Sequence, residues 1–490
     1  MTDVVPFGLV IAVIGVAGLL AVLSNRVSDR LRVPAPVIFL MAAAVASDLV
    51  PVLGRVPVVT VQRVVTVMLI LLLFDGGMHI GWRRFRAAGG PVLWIGVVGT
   101  VVTAAGVAVL AYLVFRLDWR AGLLLGVALA PTDPAVVFSV LGRREISGRS
   151  GTLLEGESGV NDPVGIAAMA ALLAAGTAGG WQAVGAGVGE FVVEMVVGAV
   201  VGVAGGYALS VAMRRLTLPS GALYPLRTLL GAGVIYGLAT LGHGSGFLAV
   251  FVAGIFVGDL RAPYKAEIER FHSSLASLAE IVAFAILGLS VSLTGLAQGT
   301  VWPVGLVLAV LLALVVRPVL VGLLLLAVNI SNGERLFVMW SGLKGAVPIL
   351  LGTYILSAGV PGADRLYQIV VVVVVFSVLV QGGLVPTVAH RTGVPVRVLE
   401  PEPWALGMRF RDEPTALRRY NITAGAPADG CTIAELALGE DAWISMINRN
   451  GALVPVRGDT VLRAGDEVLL LADPDATGTD PQPLFTPRHP

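Results

Sequence analysis

The sequence predicts an all-α polytopic membrane protein of about thirteen transmembrane helices, followed by a small cytoplasmic α/β domain. Hydrophobic residues make up 56% of the 490 residues and charged residues only 13%, and the mean hydropathy is +0.88. Soluble domains carry about 25% charged residues. Apolar stretches bounded by charge, Gly or Pro recur up to residue 390, and most approach the ~20 residues that a bilayer-crossing helix needs.

Charge and cysteine content narrow the classes of function. A net charge of +1 gives no indication of a nucleic-acid partner. The single cysteine, Cys431, excludes an internal disulfide and argues against a cysteine-based metal site. No basic region precedes the first apolar run, so residues 5–23 are predicted to be a retained helix and not a cleaved signal peptide.

Thirteen apolar stretches are predicted to span the membrane. They lie near residues 5–23, 34–50, 59–79, 91–115, 119–141, 152–175, 187–213, 224–241, 246–259, 275–297, 301–328, 333–358 and 366–390.

The orientation of these spans follows from the charge of the loops. Loops after odd-numbered spans carry fifteen Lys or Arg residues, whereas loops after even-numbered spans carry four. Because cytoplasmic loops are enriched in Lys and Arg, the N-terminus is predicted to face outwards and the C-terminus the cytoplasm of a cell-membrane protein.

Two spans are interrupted in a way that suggests an internal symmetry. Pro131 and Pro134 interrupt the fifth span, and the segment 342–348 (Gly-Leu-Lys-Gly-Ala-Val-Pro) interrupts the twelfth. Matching spans 1–6 with spans 8–13 pairs the two breaks and inverts one half relative to the other. Simple proline kinks are the alternative, but broken helices at corresponding positions of inverted repeats indicate the central site of a transporter.

Ionisable residues lie beside the first of these breaks and at the head of the sixth span. A charge at bilayer depth costs at least ~2.5–3.5 kcal/mol, so Asp133, Asp162 and Glu157 are expected to be functional. At 100° per residue, positions 157, 158, 161 and 162 fall within roughly 140° of arc on one helix. Oxygen and amide groups suit a hard cation or a proton, so the sequence predicts an intramembrane cation site.

The composition changes after the last span. Residues 1–390 are predicted to form the transmembrane domain, and the charged, Pro-containing residues 391–419 a linker. Residues 420–473 alternate turn signals with short apolar strands, which predicts a small soluble α/β module. The Pro-rich tail 474–490 is predicted to be disordered.

The motifs resemble those of the bacterial NhaP-type monovalent cation:proton antiporters, and the likeness extends over about residues 5–390. Residues 420–473 resemble the RCK-C (TrkA-C) domain, and the combination is similar to the potassium/proton subgroup. The residues that carry the likeness are Thr132-Asp133-Pro134, Glu157-Ser158 with Asn161-Asp162, residues 342–348, Leu73-Phe74-Asp75-Gly76-Gly77 and Ser245-Gly246-Phe247-Leu248-Ala249-Val250-Phe251-Val252-Ala253-Gly254.

The resemblance implies a homodimer in which a mobile core with two crossed broken helices moves against a dimerisation domain. It implies that Asp162 alternately holds a proton or the cation. Asp133, Ser158 and Thr132 are expected to add oxygen ligands. The Asn161-Asp162 pair is similar to that of the electroneutral branch.

Two basic residues are expected to balance buried charge. Lys344 stands where the family usually has Arg, in a chain with 31 Arg and 2 Lys. It is expected either to neutralise Glu157 or to offset the negative ends of the broken helices. Arg317, in the middle of a span, is expected to pair with Glu280 or Glu157.

The sequence therefore predicts a secondary active antiporter and not an enzyme, which exchanges K⁺, or alternatively Na⁺ or Li⁺, for H⁺ by alternating access. No cofactor is expected. The RCK-C-like module is expected to regulate exchange, and cyclic di-AMP is the expected ligand on resemblance. An RCK-regulated channel would need a Thr-Val-Gly-Tyr-Gly-like filter, and an intramembrane aspartyl protease a Gly-x-Gly-Asp motif; neither occurs.

Overall fold

The chain folds into two compact units, residues 1–403 and 404–490, in a computed structural model. The structure describes residues 15, 18, 19, 34–50, 52–141, 144–146, 148–175, 181–296, 300–398, 417–436, 438, 442–449, 452–472 and 482–486. The first predicted span, residues 5–23, therefore lies outside the described residues except at three positions.

The first unit is almost entirely helical. Its described helices are α1 (Ala35–Leu49), α2 (Val58–Leu93), α3 (Thr100–Phe115), α4 (Trp119–Leu129), α5 (Pro134–Leu141), α6 (Arg149–Ala175), α7 (Trp181–Arg215), α8 (Leu223–Leu241), α9 (Gly246–Gly258), α10 (Lys265–Leu289), α11 (Leu293–Leu296), α12 (Val301–Leu311), α13 (Gly322–Leu325), α14 (Asn332–Trp340), α15 (Ala346–Ser357), α16 (Ala363–Phe376) and α17 (Val385–Thr392). Wider π-helical turns join α2 to α3 (Trp94–Gly99), α12 to α13 (Leu312–Val321) and α16 towards α17 (Ser377–Gly382).

The helices agree with a membrane-spanning unit. Among the described residues six helical segments are long and apolar enough to cross a bilayer, or seven if the bent pair α4 and α5 counts as one span. Three shorter apolar helices, α1, α9 and α15, accompany them. The second to thirteenth predicted spans all fall on helices of this unit, and the eighth falls on α8, which is not among these segments.

Two segments differ from the prediction. The basic segment 80–90, expected to be a loop, is helical, and the chain bends at Gly81, whose φ of 64° a residue with a Cβ rarely adopts. Helix α10 begins at Lys265, ten residues before the predicted start of the tenth span. The first turns of this helix contain charged residues, so they lack the apolar run by which spans were predicted. Their backbone N–H and C=O groups are nevertheless paired by helical hydrogen bonds.

Close contacts between small residues fix α9 against α2 and α6. A Cβ on Gly77 or on Gly254 would overlap the backbone of the facing helix, and a Cβ on Gly159 would overlap the ring of Phe251. Small residues let membrane helices approach closely, which favours packing where no hydrophobic driving force exists. These contacts hold the polar face of α6 at a defined depth beside α2 and α9.

Local capping explains where the broken spans begin. The Asp118 carboxylate accepts a hydrogen bond from the Ala121 N–H at the start of α4 (3.0 Å). At the start of α14, Ser331 and Glu334 form a reciprocal capping box. Such side chains satisfy N–H groups that have no partner within the helix.

A short strand pair ties the end of the first unit to the segment between α5 and α6. Strand β1 (Arg144–Ile146) pairs antiparallel with β2 (Val396–Val398), and Glu145 lies opposite Arg397. The predicted linker of residues 391–419 is thus partly structured at its start. The chain leaving the last span is hydrogen-bonded next to both helices that carry the predicted site.

The second unit is a four-stranded antiparallel sheet. Its strands are β3 (Leu417–Asn421), β4 (Ala442–Arg449), β5 (Ala452–Val454) and β6 (Glu467–Ala472), in the order β3-β6-β4-β5. The 3₁₀ turn Ile433–Glu435 lies between β3 and β4 in the sequence. The fully buried side chains of Ile447, Val468 and Leu470 lie in its core.

Both predicted boundaries of this unit need correction. Strand β3 starts at Leu417 inside the predicted linker, because its partner β6 satisfies a segment too short and polar to be recognised alone. The tail 474–490 was expected to be disordered, but α18 (Gln482–Phe485) packs onto the sheet. The Phe485 ring is buried and stacks on Tyr420 with a centroid separation of 4.8 Å.

A partly buried ion pair links β4 to the residue that precedes β6 in the second unit. The Asp466 carboxylate accepts hydrogen bonds from Arg449 Nε and Nη2, both at 2.7 Å, and from the backbone N–H of Arg463. Burial raises the pKa of Asp466, but these hydrogen bonds outweigh it and hold the pKa below its ordinary value. The carboxylate therefore stays charged and paired at physiological pH.

Candidate cation site

The two breaks predicted in the fifth and twelfth spans meet in the structure. The Asp133 N–H donates to the Leu343 carbonyl at 2.8 Å. Lys344 Nζ donates to the carbonyls of Ala130 and Pro131, both at 3.1 Å. Each non-helical segment thus satisfies backbone groups of the other, which a broken helix at membrane depth requires.

Asp133 lies between the N-termini of α5 and α15, the half-helices that follow the two breaks. Its Oδ1 accepts from the Ala135 N–H at 2.9 Å, and backbone N–H groups of Val136 and Ala346 also face its carboxylate. A Cβ at Gly345 would overlap this carboxylate, so glycine is required there. Helix N-termini carry a partial positive charge and favour an anion, so the fold provides a place for a charged Asp133.

Helix α6 presents the predicted polar face. Ser158, Asn161 and Asp162 are buried inside this helix, as is Glu157. Asn161 Nδ2 donates to Thr132 Oγ1 at 2.8 Å, and Asn161 Oδ1 accepts from the Thr132 N–H at 3.4 Å. Both polar atoms of the Asn161 amide are therefore used to hold the first break against α6.

Asp162 interacts electrostatically with Asp133 and with Lys344. The two carboxylates repel each other, and the Lys344 ammonium attracts Asp162. Asp162 and Lys344 are buried, Lys344 being only 2% exposed, and Asp133 is partly buried. Two carboxylates and one ammonium thus share a water-poor region in which a further positive charge, a proton or a cation, would be stabilised.

A second charged pair involves Glu157, near the start of the polar face of α6. Arg317 Nη2 donates to both carboxylate oxygens of Glu157, at 2.9 and 3.1 Å, and both side chains are almost fully buried. Arg317 also donates to the carbonyls of Met339 (3.0 Å) and Val338 (3.3 Å), near the C-terminal end of α14. Of the two predicted partners of Arg317, the structure selects Glu157.

Lys344 lies at one of the helix ends whose negative charge it is expected to offset. Its ammonium does not bind Glu157; it binds the carbonyls at the C-terminal end of α4, where the helix dipole is negative. Arg317 has already satisfied the Glu157 carboxylate. The two cations thus act alike, each at the end of the half-helix that precedes a break.

Sequence reasoning missed a polar network behind Lys344. The Lys344 N–H donates to Ser377 Oγ (3.0 Å), and Ser377 Oγ donates to Gln381 Oε1 (3.0 Å). Gln381 Nε2 donates to the Trp340 carbonyl at 2.8 Å. The available signal was two polar residues, four apart, after a run of six valines in the last span.

The donor set does not suit a tightly held transition metal. Among the described residues no group of three or more His, Cys, Asp or Glu side chains could hold a metal ion. The groups that converge on the breaks are carboxylates, hydroxyls and backbone carbonyls, ligands of hard cations. A monovalent cation bound here would be cargo.

Comparison with known families agrees with this architecture. Residues 16–391 match the family described as "Sodium/hydrogen exchanger, transmembrane", and residues 417–479 match the TrkA-C domain. The first match covers more than half of the chain.

Curated relatives match over most of the chain. It is 31% identical to the K(+)/H(+) antiporter NhaP of Alkalimonas amylolytica over 470 residues, covering 94% of this chain and 81% of the relative. It is 31% identical over 460 residues to the K(+)/H(+) antiporter NhaP2 of Shewanella sp. (strain MR-4), covering 92% and 79%. The fold is similar to that of the sodium proton antiporter MjNhaP1 from Methanocaldococcus jannaschii, with a TM-score of 0.66 at 21% identity over 79% of this chain and 99% of that structure.

Proposed function

We propose that this chain, which belongs to the family of transmembrane sodium/hydrogen exchangers, exchanges K⁺ for H⁺ across the cell membrane under control of its TrkA-C domain. It is a membrane protein and a cation:proton antiporter. The identity of the cation, the residues that bind it, the orientation and the regulation are the proposed parts.

The observation that carries the proposal is the convergence of Asp133 and Asp162 where the two breaks meet. Two repelling carboxylates in a water-poor site favour the binding of one positive charge. A cation relieves the repulsion and displaces a proton, and a proton displaces the cation. If only a loaded site crosses between the two faces, this competition couples the two fluxes without ATP.

The contacts suggest different roles for the site residues. Asp162 is the proposed carrier, because it is opposed by Asp133 and lacks the cradle of helix N-termini that Asp133 has. Asp133 contributes a second carboxylate, held by backbone N–H groups, and Ser158 with the Thr132 backbone contributes further oxygens. Asn161 acts as a positioning residue, since both of its amide atoms hold Thr132.

The hydrogen bonds across the breaks support movement of the site as one body. Asp133 and Lys344 link the two broken spans through three bonds, so neither break can shift without the other. We propose that this core moves against a dimerisation domain in a homodimer, surrounded by membrane lipid. On the positive-inside rule, the N-terminus lies outside and the C-terminus in the cytoplasm.

We predict that reconstituted vesicles dissipate a pH gradient with K⁺ and Rb⁺ at lower concentrations than with Na⁺ or Li⁺. Support for K⁺ comes from the names of the two relatives and from the TrkA-C match. The measurement compares half-maximal concentrations of the four cations across pH. Preference for Na⁺ and Li⁺ would replace K⁺ as substrate, and current without proton movement would indicate a channel.

We propose that the second unit acts on the transporter through the strand pair β1–β2. Strand β2 precedes the TrkA-C domain in the sequence and pairs with β1, which separates α5 from α6 in the chain. A ligand that binds the domain better in one conformation would bias the transporter through this pair. We propose a cyclic dinucleotide such as cyclic di-AMP, held by the paired domains of a dimer.

Truncation after Val398 is predicted to leave a competent exchanger whose apparent K⁺ affinity or pH dependence has changed. The cut retains β2 and removes the whole second unit, so the helices of the transmembrane unit and the β1–β2 pair remain in the truncated protein. Coupling between sites is typically worth ~1–3 kcal/mol, or about 5–150-fold in affinity. Exchange rates against K⁺ concentration at several pH values, with and without cyclic di-AMP, test this. Identical behaviour of the full-length and truncated proteins would refute a regulatory role.

A further inference from the structure

Helix α10 carries a polar stripe from its charged end towards the middle of the membrane. At 100° per residue, Ser273, Ser277 and Glu280 lie within roughly 60° of arc, and Glu269 extends the stripe downwards. Ser273 and Ser277 are exposed although they belong to a membrane-spanning helix. Polar groups at this depth are expected to face a water-filled space and not lipid.

The serine hydroxyls leave their oxygens available. Ser277 Oγ donates to the Ser273 carbonyl at 3.0 Å, and Ser274 Oγ donates to the Arg270 carbonyl at 2.8 Å. Each hydroxyl uses its single hydrogen within its own helix, so its acceptor lone pairs point away from the backbone. The Ser277 oxygen in the stripe and the Ser274 oxygen beside its foot can therefore accept a contact from a partly dehydrated cation.

The lower end of the stripe opens into a cavity of about 970 Å³. Ser273, Ser274 and Glu269 from α10 line it, together with Asp75 and Asp259 from the facing segments. On the proposed orientation this cavity faces the cytoplasm. Three arginines also line the cavity and balance its three carboxylates, so the cavity offers the cation an open entrance to the foot of the stripe without a net negative charge.

The upper end of the stripe is Glu280, a residue to which the preceding description of the fold and of the proposed cation site gives no role. Its Oε1 is inaccessible to solvent and has no hydrogen-bond partner within the described part of the chain. Asp133 acts on it electrostatically, so the two carboxylates are near enough to repel each other. Helix α10 packs on α15, whose N-terminus faces Asp133. A buried carboxylate oxygen without a donor is costly unless a ligand satisfies it.

We propose that Glu280 is an additional cation-binding carboxylate, which receives the cation from the cytoplasmic cavity and passes it to Asp133 and Asp162. This assignment rests on the proposed exchange function and extends it to a residue on α10. The cation would move from the cavity past Ser273 and Ser277 to Glu280. Glu280 thereby raises the affinity for the cation on the cytoplasmic side, while Asp162 remains the group that couples cation and proton.

The test measures cation-dependent proton exchange in everted vesicles, whose cytoplasmic face is outside, for Glu280→Gln, Glu280→Asp and Glu267→Gln. Glu267→Gln removes the same charge from α10 at a residue that does not line the cavity. We expect Glu280→Gln to raise the apparent KM for K⁺ about tenfold with a maximal rate within about twofold, as expected for loss of one charged ligand. Glu280→Asp should restore most of the affinity, and Glu267→Gln should match the wild type.

Two results would overturn the assignment. An unchanged KM in Glu280→Gln would show that the cation does not bind there. Loss of maximal rate, or of folded protein by size-exclusion chromatography, that Glu280→Asp does not rescue would show a structural role. Wild-type exchange in the same vesicles tests the exchange function separately, because that function can hold while Glu280 proves irrelevant.

Discussion

Asp162→Asn is expected to abolish exchange for every monovalent cation while the protein still inserts and folds. The substitution keeps the size and buried position of the side chain but removes the group that a proton and a cation compete for. Asp133 remains in this variant, but its carboxylate is already held by backbone N–H groups at two helix N-termini. Without a carrier carboxylate, proton flux should fall to the background of empty vesicles.

The measurement is pH-gradient dissipation in proteoliposomes over a range of K⁺ and Na⁺ concentrations. Asp364→Asn is a matched control, because Asp364 is an exposed acid in the first turn of α16, and this variant should exchange as the wild type does. Size-exclusion chromatography of Asp162→Asn should show folded protein. Coupled exchange at a near-normal rate in Asp162→Asn would overturn the proposed site.

The broken spans could be predicted because their causes are local. Two prolines four positions or fewer apart, at 131 and 134, and glycines at 342 and 345 disfavour a continuous helix through these segments. The polar face of α6 could be predicted for the same reason, since helical spacing alone brings residues 157, 158, 161 and 162 together. Each of these features depends on neighbours within a few positions.

The partners of the buried charges could not be predicted, because they are set by packing between distant segments. Arg317 lies 160 positions from Glu157, and only the arrangement of α6 against the π-helical turn that contains Arg317 selects it over Glu280. Lys344 binds backbone carbonyls more than 210 positions away. Because every residue has a backbone carbonyl, the sequence does not indicate which carbonyls are bound. Ser377 and Gln381 were missed because their surroundings read as uniformly apolar.

Of the single substitutions considered in the transmembrane unit, Arg317→Ala is expected to lower the stability of the folded protein most. It leaves the Glu157 carboxylate buried without its partner and also releases the Met339 and Val338 carbonyls near the end of α14. Removing one partner of a buried ion pair costs roughly 3–5 kcal/mol of folding stability. A Cβ at Gly342 would overlap the Arg317 side chain, so glycine at this position leaves the space that the guanidinium occupies.

The destabilisation should arise mainly from the stranded charge, and a double substitution separates this from lost packing. Arg317→Ala combined with Glu157→Gln removes the stranded carboxylate, so it should recover part of the stability lost in Arg317→Ala alone. Thermal unfolding in detergent, followed by size-exclusion chromatography after heating, measures the four members of the cycle. Arg365→Ala, at an exposed arginine in the first turn of α16, is the control and should leave the melting temperature unchanged. Additive effects of Arg317→Ala and Glu157→Gln would mean that the two side chains do not stabilise each other, and the pair would then lose its role in holding α6 against the second break.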